Sequence, residues 1–288
     1  MEDKQSCKLK FRQYLQQLGY SKSSVYMLPE CVKDFLEYHS TTNIEAVNQK
    51  HIESFIEYLQ IRPHKRKAGG LSEAYINHHI YALKLFFSYL EETGQIKYNP
   101  ISVMKFKRPG HNTREPLTQA EISQLFETAQ SQKETAMLHL FYSCGLRRSE
   151  AVELNTKDIH FKSCLLYVRN GKGHKRRAIP MTVKVSQALE NYYLQERSQS
   201  QTKAKDAEAF ILNRIGSRMS GNSYNSIIKE IVEKSGIERA CTLHHLRHSI
   251  ATHLLENGLS LENVRDFLGH SYLESTQIYT HIKNLKIK

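Results

Sequence analysis

Over the first hundred residues, apolar positions recur every three or four places, the period of a helix with one buried face. The stripe Leu9, Phe11, Leu15, Leu18 stops at Gly19, and a second one, Val25, Tyr26, Leu28, Val32, Phe35 and Leu36, lies within residues 23–39. A third covers residues 49–60 on Ile52, Phe55, Ile56 and Leu59 and ends before Pro63. After the basic loop IRPHKRKAGG, Ser72 can cap a long fourth helix carrying Tyr75, Ile76, Ile80, Leu83, Phe86, Phe87 and Leu90, closed by Gly94. These stripes predict a four-helix unit.

The periodicity then lapses. Residues 104–115, MKFKRPGHNTRE, combine Pro, Gly and several Lys or Arg residues with little apolar patterning, so they predict a linker lying near phosphate. Thr118 opens a new helix in a capping box, Thr-Gln-Ala-Glu, with Glu121 reaching back ahead of Ile122, Leu125 and Phe126. The stripe of residues 137–144 then meets Gly145-Leu146-Arg147-Arg148-Ser149-Glu150, and a further helix continues through Val152 and Leu154. From 159 to 180 the period changes to two: Leu165 and Tyr167 alternate with Leu166 and Val168, Asn170-Gly171 and Gly173 break the run, and Ala178 and Ile179 resume it. That is a hairpin with Lys172 between two glycines at its tip, followed by Lys175, Arg176 and Arg177. Residues 183–193 predict an amphipathic helix, 195–208 a mobile polar loop, and 224–232 a helix ending near Gly236.

The last stretch starts at Thr242, which predicts an N-cap for a helix whose apolar positions are Leu246, Ile250, Ala251, Leu254 and Leu255. Gly258 can close that helix, a short one follows over 261–268, and Gly269 ends it, leaving His270 at a turn. Ser275 can start a final helix holding Tyr279. There is no internal repeat and no low-complexity tract. The pattern as a whole predicts a mainly α chain with a small antiparallel β-sheet, organised as a helical unit over 1–104, a linker over 105–115 and an α+β domain over 116–288.

Composition narrows the partner. Of 288 residues, 41 are Lys or Arg against 29 Asp or Glu, a formal charge of +12, and a pI near 9.4 implies a polyanion, for which nucleic acid is the usual candidate. Split at residue 110, the chain has 16 basic against 11 acidic residues before and 25 against 18 after. Both halves are basic, which fits a protein gripping DNA from two sides. The N-terminal MEDKQSCKLK lacks the apolar core of a secretion signal and no run reaches the length of a membrane span, so a cytoplasmic protein with no membrane partner is expected. Five scattered cysteines without Cys-x-x-Cys spacing read as reduced thiols in cores.

Chemistry concentrates near the C-terminus. His244 and Arg247 fall three apart in the first turns of one helix, at a terminus whose free amides and dipole already attract anions. That outlines a phosphate site, although His-His-Leu-Arg-His taken alone is more often no more than a solvated helix start. A zinc site on His244 and His248 lacks the Glu of the His-Glu-x-x-His pattern. Arg147 sits where a glycine lets two helices meet, and its planar fork can reach two phosphate oxygens; a surface arginine beside another arginine is an equal reading.

In chain order there is Gly-Leu-Arg-x-Ser-Glu, a Gly-Lys-Gly hairpin, His-x-x-Arg-His, Leu-Gly-His and Thr-x-x-x-Tyr-x-His. This series closely resembles the tyrosine recombinases, the phage-integrase and Xer-like family of site-specific DNA recombinases, over the whole chain. Any one motif is weak; five in order are specific. The resemblance implies a helical, SAM-like core-binding domain and a catalytic domain in which Arg147, Lys172, His244, Arg247 and His270 surround a scissile phosphate while Tyr279 attacks it. It further implies that Glu150 supports neighbours, that Lys172 protonates the leaving 5′ oxygen, and that a 3′-phosphotyrosyl link conserves the bond energy with no ATP, metal or other cofactor. Double-stranded DNA is the implied substrate, with protomers forming a tetramer on paired sites, accessory DNA-bending or activating proteins as further partners, and integration of mobile elements or Xer-type resolution as the role. Only nine residues follow Tyr279, so the tail available for docking on a neighbour is short and a weaker tetramer without DNA is expected. Two rival readings remain: a catalytically silent DNA-binding regulator, against which the complete set of six positions argues, and a type IB topoisomerase-like enzyme that relaxes supercoils without exchanging strands.

Overall fold

The computed structural model describes residues 4–39, 43–64, 68–106, 115–169, 176–201, 205–239 and 241–269. The chain divides into two compact units, Met1–Asn112 and Thr113–Lys288, each with a core of its own.

In the first unit, α1 (Lys4–Gln17), α2 (Lys22–Tyr38), α3 (Gln49–Ile61) and α4 (Glu73–Glu92) form the four helices the stripes predict. Three start on polar caps: the Ser21, Asn48 and Ser72 side chains accept the N–H groups of Ser24, His51 and Tyr75, which satisfies amides that have no partner inside the helix. Phe35 meets Phe55 and Phe87 edge-on at centroid distances of 5.3 and 5.9 Å, a preferred geometry for rings in a packed core. The first stripe needs correction. Cys7, Phe11 and Leu15, spaced four apart, make the buried face of α1, while Leu9 and Leu18 are 53% and 54% exposed. Met104 and Phe106, within the expected linker, pack against the core of this unit, with Lys84 Nζ 4.9 Å from the Phe106 ring centroid.

The second unit begins with α5 (Gln119–Thr128), where Thr118 and Glu121 exchange the bonds of the predicted capping box at 2.7 and 3.2 Å. After α6 (Gln132–Leu138) and a π-helical turn (His139–Ser143) comes α7 (Arg148–Glu153). The strands β1 (Ile159–His160), β2 (Leu165–Val168) and β3 (Arg177–Pro180) form one antiparallel sheet in that order, with Leu166 opposite Ile159 and Ile179, and Val168 opposite Arg177. Then come α8 (Val183–Asn191), a π-helical segment (Tyr192–Arg197), α9 (Ser198–Gln201), α10 (Gly221–Ser235), α11 (Leu243–Glu256) and α12 (Leu261–Leu268).

The segment read as a mobile loop from 195 is helical as far as Gln201. Its polar sequence hides a buried arginine: Arg197 donates from Nε and Nη2 to the Ala209 carbonyl at 3.1 and 2.9 Å and from Nη2 to Ala207 at 2.6 Å. These bonds tie the helix to the buried run of residues 209–212. Among the described residues no helix is long and apolar enough to cross a membrane, and all five cysteines are free.

Candidate functional site

The π-helical turn before α7 ends in a tight reversal. Gly145 adopts φ 57°, where a side chain is strained, and a Cβ there would stand 2.9 Å from Leu268 Cδ2, so glycine lets the chain turn directly against the end of α12. Arg147 follows in extended conformation as the residue preceding α7. Its amide donates to Glu150 Oε2 at 2.8 Å, its Nη1 to Glu150 Oε1 at 2.7 Å and its Nη2 to the Gly269 carbonyl at 2.7 Å. Glu150, one turn into α7, is thereby folded back over the helix N-terminus, where a negative charge is favoured.

Two more arginines reach the same place from distant parts of the chain. Arg177, the first residue of β3, sets both ends of its fork on the Glu150 carboxylate, Nη1 to Oε1 at 2.9 Å and Nη2 to Oε2 at 2.8 Å, and donates from Nε to the Phe267 carbonyl at 3.0 Å. Arg247, in the second turn of α11, donates from Nη1 to the Gly145 carbonyl and from Nη2 to the Leu268 carbonyl at 2.6 Å, with Nη1 3.8 Å from Glu150 Oε2. The consequence is a regular division of labour at the end of α12. The carbonyls of Phe267, Leu268 and Gly269, which lie where a helix runs out of internal donors, are taken by Arg177, Arg247 and Arg147 respectively. Cations belong there because the C-terminal end of a helix carries partial negative charge.

Electrostatics follow from this packing. The Glu150 side chain is 1% exposed. Burial pushes its carboxyl up, but the Arg177 hydrogen bonds and charge, joined by the Arg147 amide and guanidinium, outweigh that and hold it at about 2. Burial also pushes the neighbouring Cys144 thiol up to about 12, so this thiol stays protonated. Three guanidiniums around one carboxylate leave two positive charges in excess, and an anion is what such an excess attracts. Of the three, Arg147 reaches solvent most, at 20% of its side chain against 9% for Arg177 and 8% for Arg247.

His244 is exposed on the first turn of α11, while Arg247, one turn on, is buried, so the two do not have the common exposure their spacing suggests. The neighbouring His245 has the local task of capping: its Nδ1 accepts from the Thr242 amide at 3.1 Å and lies 2.9 Å from Thr242 Oγ1. Lys172, His270 and Tyr279, with the helix expected from Ser275, lie outside the described residues, as do Lys65 to Lys67 of the first basic loop. By sequence, Lys172 precedes Arg177 by five places and His270 directly follows Gly269.

Of the predicted site residues, the structure gathers Arg147, Glu150 and Arg247 into one cluster. Sequence reasoning missed Arg177, grouped with the outer charges of a hairpin. A signal for it exists: residues two apart on a strand share a face, and Ile179 is fully buried, so Arg177 points inward.

Residues 115–285 match the phage integrase family, and residues 9–96 match the phage integrase N-terminal SAM-like domain. The chain is 37% identical over 219 residues to the tyrosine recombinase XerC of Chlamydia caviae, a match covering 74% of this chain and 69% of that protein. It is 29% identical over 279 residues to the tyrosine recombinase XerD of Listeria innocua, covering 94% of this chain and 91% of the relative. Among solved structures it is similar to the XerA recombinase, at 26% identity and a TM-score of 0.54 over 97% of this chain and 94% of that one. It shares its fold with the XerH site-specific recombinase bound to a palindromic difH substrate, at a TM-score of 0.74 and 19% identity over 99% of this chain and 83% of that one.

Proposed function

Because the chain belongs to the phage integrase family and is a site-specific tyrosine recombinase, a DNA strand-exchange enzyme with a tyrosine nucleophile, we propose that Arg147 and Arg247 clamp the scissile phosphate while Tyr279 attacks it. The observation that carries this reading is the excess of positive charge around Glu150, built from arginines a hundred residues apart in sequence and fixed on one carboxylate and one helix end. As the phenol oxygen of Tyr279 bonds to phosphorus and the 5′ oxygen leaves, charge develops on the non-bridging oxygens. Guanidiniums held in advance stabilise that charge without reorganising. Lys172 gives its proton to the leaving 5′ oxygen, and His244 and His270 assist the phenol, which at a pKa of about 10 is a weak nucleophile unaided. Attack by a second strand's 5′ hydroxyl on the 3′-phosphotyrosyl link reverses the sequence and completes exchange. Glu150 orients the arginines.

In this reading residues 1–104 are the core-binding unit on double-stranded DNA, 105–115 the connection and 116–288 the catalytic domain, working in the cytoplasm as a tetramer on paired sites with accessory DNA-bending or activating proteins. Similarity to XerC and XerD proteins favours Xer-type resolution over mobile-element integration as the role. A duplex nicked beside the cleavage point, which lets the short leaving strand diffuse away, tests the reading. The enzyme should accumulate a covalent protein–DNA adduct, and Tyr279→Phe should form none while binding the duplex within about threefold of the parent. An adduct from the Phe variant would assign the nucleophile elsewhere.

A further inference from the structure

Arg177 holds a position that the proposed chemistry leaves unused. It opens β3, five residues after Lys172 in sequence, and its three bonded nitrogens all serve the protein: two on Glu150 and one on the Phe267 carbonyl. With all three nitrogens engaged and its fork closed on a carboxylate, it is poorly placed to take a phosphate oxygen itself. The surroundings are shaped to admit it. Gly269 adopts φ 66°, and a Cβ there would lie 2.9 Å from Arg177 Nη1 and 3.0 Å from its Cδ. A side chain at 269 would therefore collide with the guanidinium as well as strain the backbone.

One side chain thus joins three segments, each next to a group assigned to the reaction. The strand bearing Arg177 begins five residues after Lys172. The carboxylate it grips is the one that orients Arg147. The carbonyl it holds belongs to the last turn of α12, three residues before His270. Arg147 and Arg247 hold the next two carbonyls of that turn, so the placement of all three arginines is coupled through Glu150 and the end of α12. We propose that Arg177 is a positioning residue for strand cleavage: by fastening β3 to Glu150 and to the α12 terminus it sets the aim of Arg147 and Arg247 on the scissile phosphate without contacting DNA. This rests on the reading that those two arginines hold that phosphate.

Lysine cannot replace it. A single ammonium can stay opposite Glu150, but it has no planar fork to span both carboxylate oxygens and Phe267 at once. Outer partners that orient metal ligands typically cost ten- to a hundredfold in affinity or activity when removed, and by analogy about that loss is expected here.

The test compares covalent adduct formation in single turnover, and duplex affinity, for the full chain and for Arg177→Gln, Arg177→Lys and Arg147→Ala. Each is measured on the nicked duplex and on the same duplex carrying a methylphosphonate at the scissile position, which removes the non-bridging charge. Arg177→Gln should form adduct about 10- to 100-fold more slowly with affinity within about threefold, Arg177→Lys should fall between, and the deficit should shrink severalfold on the neutral substrate, where there is less charge to aim at. Should Arg177→Gln fail to fold, judged by its thermal transition, Arg177→Lys carries the same comparison. An equal deficit on both substrates, or affinity falling in step with rate, overturns the proposal, because either is what loss of structure alone produces. If Arg147→Ala loses the adduct while both Arg177 variants keep the parental rate, only this inference fails. If Arg147→Ala itself keeps the rate, the phosphate-clamp reading fails and takes this one with it.

Discussion

Asp34 in the N-terminal unit and Glu150 in the C-terminal unit are both carboxylates held among cations, and they are held differently. Asp34 accepts from Arg62 Nη1 at 3.0 Å and faces the Nε2 of His79, which is fully buried on α4, at 3.5 Å. The hydrogen bond to His79 pulls the Asp34 carboxyl down to about 2 against the effect of burial, with Arg62 adding to it. Burial pushes His79 down, yet bonds to Asp34 and Cys31 outweigh it and raise the imidazole to about 9. Around Glu150, by contrast, every cation is a guanidinium that never titrates in the working range. The first cluster carries one positive charge in excess, which His79 can shed, and that suits a structural tie. The second carries a permanent excess of two charges with one arginine partly open to solvent, which suits holding an anion.

Removing each acid should separate the two most widely. Glu150→Ala leaves Arg177 and Arg247 buried without their carboxylate and is expected to cost the C-terminal unit about 3–5 kcal/mol in denaturant unfolding. Asp34→Ala should cost the N-terminal unit only about 1–3 kcal/mol, because His79 can deprotonate once its partner is gone. Equal losses would erase the distinction. Gly269→Ala comes next: strain at φ 66° and collision with Arg177 should cost about 1–3 kcal/mol and slow adduct formation, whereas Ala at Gly94, where φ is 71° and no atom lies within 4 Å, should show the strain without the catalytic loss. A common effect on adduct formation at both glycines would count against the clamp at α12.

The smallest effect is one of pH. His79 is raised above its ordinary value of 6.5, so its stabilising contribution is complete below that value and disappears as pH rises through about 9. The Glu150 and Asp34 carboxyls are depressed, so theirs is present above the ordinary carboxylate range and lost only as pH falls toward about 2. Between pH 6.5 and 9 the N-terminal unit should therefore lose on the order of 1–2 kcal/mol while the arginine cluster holds constant. Amide hydrogen exchange on α2 and α4 against α7 and α12 reads the two separately, and His79→Gln should flatten the slope in the first pair. A parallel slope in α7 and α12 would mean the arginine cluster titrates too.

Much of this was legible in the chain. Helical periods and capping residues located most helices of both units, because burial of one face and satisfaction of terminal amides are local requirements that leave local marks. The Gly145-Leu146-Arg147 turn is a three-residue feature, readable for the same reason, whereas the supporting role of Glu150 came from the family resemblance. Arg177 and Arg197 were not. Both are buried by carbonyls or carboxylates that other segments supply, and a charged residue in a polar stretch is an exposed one until the fold delivers its partners. Leu9 failed in the opposite direction: apolar and in phase with a stripe, it lies on the outer side of α1 because Cys7 takes the inward place.

The central claim is that the charge excess around Glu150 stabilises the phosphate during cleavage. Single-turnover adduct formation and duplex affinity, measured together for Arg147→Ala and Arg247→Ala on the nicked duplex, test it most directly. The account predicts a barrier raised by about 2–4 kcal/mol, a rate loss of roughly 30- to 1,000-fold, with affinity nearly unchanged. Parental adduct rates from either variant would contradict it.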